Sequence, residues 1–99
     1  MLLKGMNFIG YAEGAESKQT FKAFSPSLNQ PLPEDFSIAS QPEFDRALSL
    51  ASQASDALQY GSVSGRGLFL RTDAEEILNA GDFLISRCSL ETGLPEARI

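Results

Sequence analysis

The segment from Ser40 to Gly61 constrains this chain more than any other. Ser40 and Glu43 have the spacing of a capping box, in which each side chain bonds the other's backbone N–H. Pro42 falls within the first turn, where a proline is tolerated. Phe44, Ala47, Leu48, Ala51, Ala54 and Leu58 then recur with helical period, and Gly61 is the expected stop. This predicts a helix with one apolar stripe. Such a stripe must meet a second layer or stand as an interface.

The rest of the chain is read outward from that helix. A second helix is expected from about Ser64 to Ala80, with Phe69, Leu70, Ala74, Ile77 and Leu78 on its apolar side. Gly81-Asp82 is expected to break it, and a third helix, Phe83 to Thr92, presents Leu84, Ile85 and Cys88 and closes at Gly93. Beyond it, Leu94-Pro95-Glu96-Ala97-Arg98-Ile99 reads as the opening turn of another helix, as if the chain were severed there. On the N-terminal side, Asn7 to Tyr11 and Gln19 to Phe24 are short apolar segments. They are expected to pair as a hairpin across the polar loop Ala12 to Lys18. Ser25 to Pro33, with three prolines, reads as a connector, and Glu34 to Ala39 as a third strand. The expected fold is α+β: a hairpin and a third strand over residues 1–39, then three helices over residues 40–99.

Composition narrows the function classes. Thirteen acidic residues against eight basic ones give a net charge of −5, with no basic run, which argues against nucleic acid and anionic membranes as partners. Cys88 is the sole cysteine, so no internal disulfide or multi-cysteine zinc site forms within the chain. A lone thiol suits a reducing compartment, and no signal peptide or membrane span is legible; a cytoplasmic location is expected.

Catalytic machinery is sparse. There is no histidine, which removes Ser-His and Cys-His pairs and imidazole ligands. Cys88 as a nucleophile needs a neighbouring base or cation, and Arg87 is the one basic neighbour; the simpler reading is a small apolar residue on a helix's inner face. The cluster Gly61-Ser62-Val63-Ser64-Gly65-Arg66-Gly67 invites a phosphate-loop reading through Arg66. It matches neither G-x-G-x-x-G nor G-x-x-x-x-G-K-[ST], so an inter-helix turn with serine caps is favoured. Glu34-Asp35 and Asp73, Glu75, Glu76 read as solvated carboxylates rather than a raised-pKa pair. Phe8, Phe21, Phe24 and Phe36 at strand spacing read as core or subunit contacts. No catalytic, cofactor-binding or metal-binding residue is therefore assigned.

An ordered series of short strings carries a family resemblance. It comprises Asn7-Phe8-Ile9-Gly10, Thr20-Phe21, Ser25-Pro26, Phe44-Asp45-Arg46-Ala47, Arg66-Gly67-Leu68-Phe69-Leu70, Ala74-Glu75-Glu76-Ile77, Gly81-Asp82-Phe83-Leu84-Ile85, and the block Glu91 to Ile99. In this series the chain resembles the N-terminal portion of the NAD(P)-dependent aldehyde dehydrogenases, with the block Glu91 to Arg98 resembling the branch that handles alpha-ketoglutaric semialdehyde (2,5-dioxovalerate) and some long-chain aldehydes. Three positions depart from the family pattern. Ser25 stands where Asn is common and Asn29 where glycine is usual. Gly67 replaces an alanine at a cost of about 1 kcal/mol to its helix.

The resemblance implies an α/β enzyme of which this is the opening portion. It implies oligomer contacts from residues 1–39 and helices flanking the cofactor-binding domain from residues 40–99. NAD or NADP belongs to the parent, and the catalytic cysteine and glutamate lie downstream, so the fragment is expected to be inactive and to hold no cofactor. Its expected partners are the remainder of the enzyme and further subunits. The alternative is a free-standing acidic α+β self-association module, and a weaker one is a thiol redox protein acting through Cys88.

Overall fold

A computed structural model describes residues 3–14 and 17–99. Met1 and Leu2, part of the stretch inspected for a signal peptide, and Ala15 and Glu16, part of the expected hairpin loop, lie outside the described residues. The architecture is α+β, with two antiparallel hairpins followed by two helices.

The strand pairing corrects the sequence expectation. Strand β1 (Phe8–Ile9) does not reach the second apolar segment. It turns back through Gly10, whose φ of 67° suits a residue without Cβ, and pairs with β2 (Ala12–Glu13) in the register Phe8↔Glu13 and Ile9↔Ala12. Gly14 N–H closes this small hairpin on the Asn7 carbonyl at 2.6 Å. Strand β3 (Thr20–Ser25) is thereby left to pair with β4 (Gln30–Ser37), which absorbs much of the expected connector. Pro31 and Pro33 are tolerated because a strand in a two-stranded ribbon needs donors on only one side. The register shifts between Lys22↔Asp35 and Phe24↔Pro31, where those prolines stand. Asn29 takes the left-handed conformation, φ 52°, in the connecting turn, as its place in the glycine position of that turn leads one to expect. Ser25, wholly enclosed, organises that turn by accepting the Leu28 N–H at 3.3 Å.

Helix α1 (Gln41–Gln59) begins as expected. The Ser40 hydroxyl accepts the Glu43 N–H and the Glu43 carboxylate accepts the Ser40 N–H, so two donors at the helix start are satisfied. The next element corrects the helix count from three to two. Helix α2 runs from Val63 to Thr92, and the break expected at Gly81-Asp82 is a kink within it. Gly81 has φ 60° and ψ −143°, a region that only glycine occupies freely, yet the hydrogen-bonded ladder resumes beyond it. Gly93 caps α2 in the left-handed conformation, φ 74°, and donates to the Ser89 carbonyl. A single 3-10 turn, Glu96–Arg98, follows Pro95.

Little of this chain is enclosed. Ile9 and Leu32 are the buried apolar side chains among the described residues. Its accessible surface is 7909 Å², against ~5,500 Å² for a compact chain of 10.7 kDa. Its radius of gyration is 16.8 Å, where about 13 Å is usual for this length. Local signals therefore shape the helices without a core to hold them. Ser40→Ala removes half of the capping box and is expected to cost α1 about 1 kcal/mol; the check is a fall in far-ultraviolet helical signal and an earlier thermal transition.

Candidate functional site

The most developed polar arrangement centres on Arg87. Helix α2 carries it onto the face that packs against β3, and its guanidinium reaches two carboxylates. Nη1 donates to Glu34 Oε2 on β4 at 2.9 Å, and Nε donates to Glu91 Oε1, one helical turn on, at 2.7 Å. The guanidinium also lies 5.7 Å from the centre of the Phe36 ring, which stacks on Phe21 of β3 with centroids 5.6 Å apart. The Arg87 side chain is 14% exposed, and its Nη2 lacks a hydrogen-bond partner.

The electrostatics follow from this geometry. The hydrogen bond from Arg87 holds the Glu34 carboxyl below its ordinary value of 4.5, and the hydrogen bonds to Glu34 and Glu91 raise Arg87 further. Glu34 thus departs from the solvated carboxylate expected of it. Its neighbour Asp35 pairs with Lys22 at 2.9 Å, while Asp73, Glu75 and Glu76 are exposed, as expected. Only the Arg87/Glu91 spacing was readable in sequence, as an i,i+4 pair; Glu34 lies 53 residues away from Arg87.

The other singled-out residues occupy separate places. Cys88 is half-buried on α2, and the Arg87 guanidinium beside it in sequence is committed to Glu34 and Glu91. In the glycine cluster, Gly61 and Ser62 lie in the α1–α2 turn, and residues 63–67 open α2. Ser62 caps α2 by accepting the Gly65 N–H at 2.9 Å, and Arg66 donates to the Gly61 carbonyl at 3.1 Å instead of facing outward as an anion receptor. Phe8, Phe21 and Phe24 remain exposed on the hairpins. A hollow of about 310 Å³ lies between Leu3, Met6, Phe8 and Phe36, with the Lys4–Glu13 ion pair at 3.4 Å on its rim. Among the described residues no three acidic or cysteine side chains gather as a metal site requires, and no helix is long and apolar enough to cross a membrane. The arrangement around Arg87 joins a helix to a sheet.

Comparison with known proteins supplies what the geometry does not. Over an alignment of 100 residues that takes in all of this chain, it is 41% identical to alpha-ketoglutaric semialdehyde dehydrogenase 2 of Azospirillum brasilense. Over its whole length this chain is similar to that semialdehyde dehydrogenase. The alignment takes up 19% of that dehydrogenase, so the chain spans about a fifth of the length of the relative it matches. No protein-family model and no solved structure matches it. The ordered strings Asn7-Phe8-Ile9-Gly10 through Ile99 therefore belong to a similarity that runs the whole chain, not to a single motif.

The bond between Glu34 and Arg87 is pH-sensitive. Because Glu34 is depressed in the folded chain, its bond to Arg87 contributes fully above about 4.5 and is lost as pH falls through the lower folded value. Arg87→Gln is expected to return the Glu34 titration upward toward 4.5, followed by carboxyl chemical shifts across an acid titration.

Proposed function

We propose that this chain is the N-terminal portion of an NAD(P)-dependent aldehyde dehydrogenase that oxidises a semialdehyde or fatty aldehyde to the carboxylic acid. The observation that carries the reading is 41% identity across the entire chain to an alpha-ketoglutaric semialdehyde dehydrogenase. In this proposal residues 1–39 contribute oligomer contacts, and residues 40–99 form helices beside the cofactor-binding domain. The cysteine nucleophile, the glutamate base and the NAD or NADP site belong to the rest of the enzyme, which works in the cytoplasm.

The chemistry agrees with a segment that serves a site elsewhere. Aldehyde oxidation through a thiohemiacetal needs a thiolate with room for substrate and a base for the later hydrolysis. Cys88 sits on a helix with its neighbouring arginine occupied, and the chain has no histidine. The alternative, a free-standing self-association module, draws on the many exposed apolar side chains of α1 and α2.

The purified chain, incubated with alpha-ketoglutaric semialdehyde and NAD⁺ or NADP⁺, is expected to form no reduced nicotinamide. The same chain grafted in place of the matched segment of the Azospirillum brasilense dehydrogenase is expected to yield an active enzyme. Turnover by the chain alone, or a folded but inactive graft, would sink the proposal.

A further inference from the structure

The chain packs as two units that cut across its order of strands and helices. In one, α1 lies on the β1–β2 hairpin. Glu43, Arg46 and Leu50, spaced along one face of the helix, rest against Gly14 and Gly10 of that hairpin, and Ile9 of β1 is buried. In the other unit, the C-terminal half of α2 lies on the β3–β4 ribbon through the Arg87–Glu34 bond, with the Pro26 ring against Gly93. Among the described residues, α1 makes no substantial contact with α2 or with the ribbon.

The hydrogen bonds that cross between these units, among the described residues, meet at Ser37, the last residue of β4. Its N–H donates to the Gly5 carbonyl at 2.7 Å, and its carbonyl accepts the Asn7 side-chain amide at 3.2 Å. Its hydroxyl accepts the Ser17 N–H at 3.5 Å, too long for a strong bond. Apolar packing reinforces this seam little. The hollow of about 310 Å³ separates Leu3, Met6 and Phe8 from Phe36, and a gap forfeits much of the attraction that close contact supplies. Gly5 has φ 68° and lies so close to the Asp35 carbonyl that a Cβ would overlap that backbone oxygen. Only glycine lets the Gly5 carbonyl reach Ser37.

We infer that Ser37 is the joint between the two units: its bonds to Gly5 and Asn7 fix their relative orientation, and without them α1 and the β1–β2 hairpin swing together as one body. A few residues at the end of an element are enough to carry a rigid-body motion of this kind. The inference is independent of the dehydrogenase reading. It also divides the chain elsewhere than at residue 39, because the first hairpin travels with α1 rather than with β3 and β4.

The test measures distances between paired nitroxide labels on the full chain by double electron–electron resonance, with Cys88→Ala leaving only introduced cysteines to label. Gln53→Cys with Gln30→Cys spans the joint, and Gln30→Cys with Asp82→Cys stays within the ribbon–α2 unit; all three positions are exposed. In the parent chain both pairs are expected to give narrow distributions. Gly5→Ala should widen the spanning distribution at least twofold and leave the internal one unchanged. Asn7→Ala, which introduces no overlap, should widen the spanning pair in the same sense but less. Ser37→Ala keeps the N–H and carbonyl and should leave both pairs unchanged. A spanning distribution already broad in the parent chain overturns the inference, as does one that neither Gly5→Ala nor Asn7→Ala alters. Equal widening of the internal pair overturns it too, because the two units would then not be separate bodies.

Discussion

The bond between Arg87 and Glu34 is the tie on which the arrangement of helix and sheet depends. It joins residues 53 positions apart, and it does so beside the stacked Phe21–Phe36 pair, where the guanidinium is shielded from bulk water. A salt bridge between freely exposed side chains contributes little. Here the second acceptor, Glu91, and the ring of Phe36 orient the guanidinium, so less freedom is lost on pairing with Glu34. The C-terminal half of α2 is thereby held on the β3–β4 ribbon, while its N-terminal half departs at the Gly81 kink.

That division explains how a chain with well-formed elements encloses so little. Helix ends and hairpin turns are stabilised by neighbours a few residues away. Apolar stripes need surfaces supplied from a distance, and two helices with two small ribbons do not supply them. Only Ile9 and Leu32 are apolar and buried among the described residues. On the proposal that this chain is a portion of a dehydrogenase about five times as long, the shortage has a physical sense, because a segment of a larger fold is shaped for surfaces it does not itself contain.

Sequence legibility followed the range of the interactions. The Ser40–Glu43 box, the Ser62 turn, the left-handed Asn29 and the Gly93 cap were all readable, since each is settled within four residues. The pairing of β3 was not. An apolar segment at Asn7–Tyr11 looked long enough to be its partner, but Gly10 reversed the chain after two paired residues, and the proline-bearing stretch took its place. Gly81 was readable as a break in helical conformation, and its non-helical dihedrals put the kink of α2 there. The clasp around Arg87 was half legible, through Glu91 but not Glu34.

By itself, the sequence determined where the helical region starts and stops, the capping chemistry, the order of strands before helices and the similarity to a semialdehyde dehydrogenase. Those rest on contacts between near neighbours, or on the residue series itself. Tertiary structure alone decided which strand β3 joins, that Glu34 belongs to Arg87 rather than to solvent, and that the helical stripes stay uncovered. Each depends on which distant segments meet, and local propensity carries no information about that meeting.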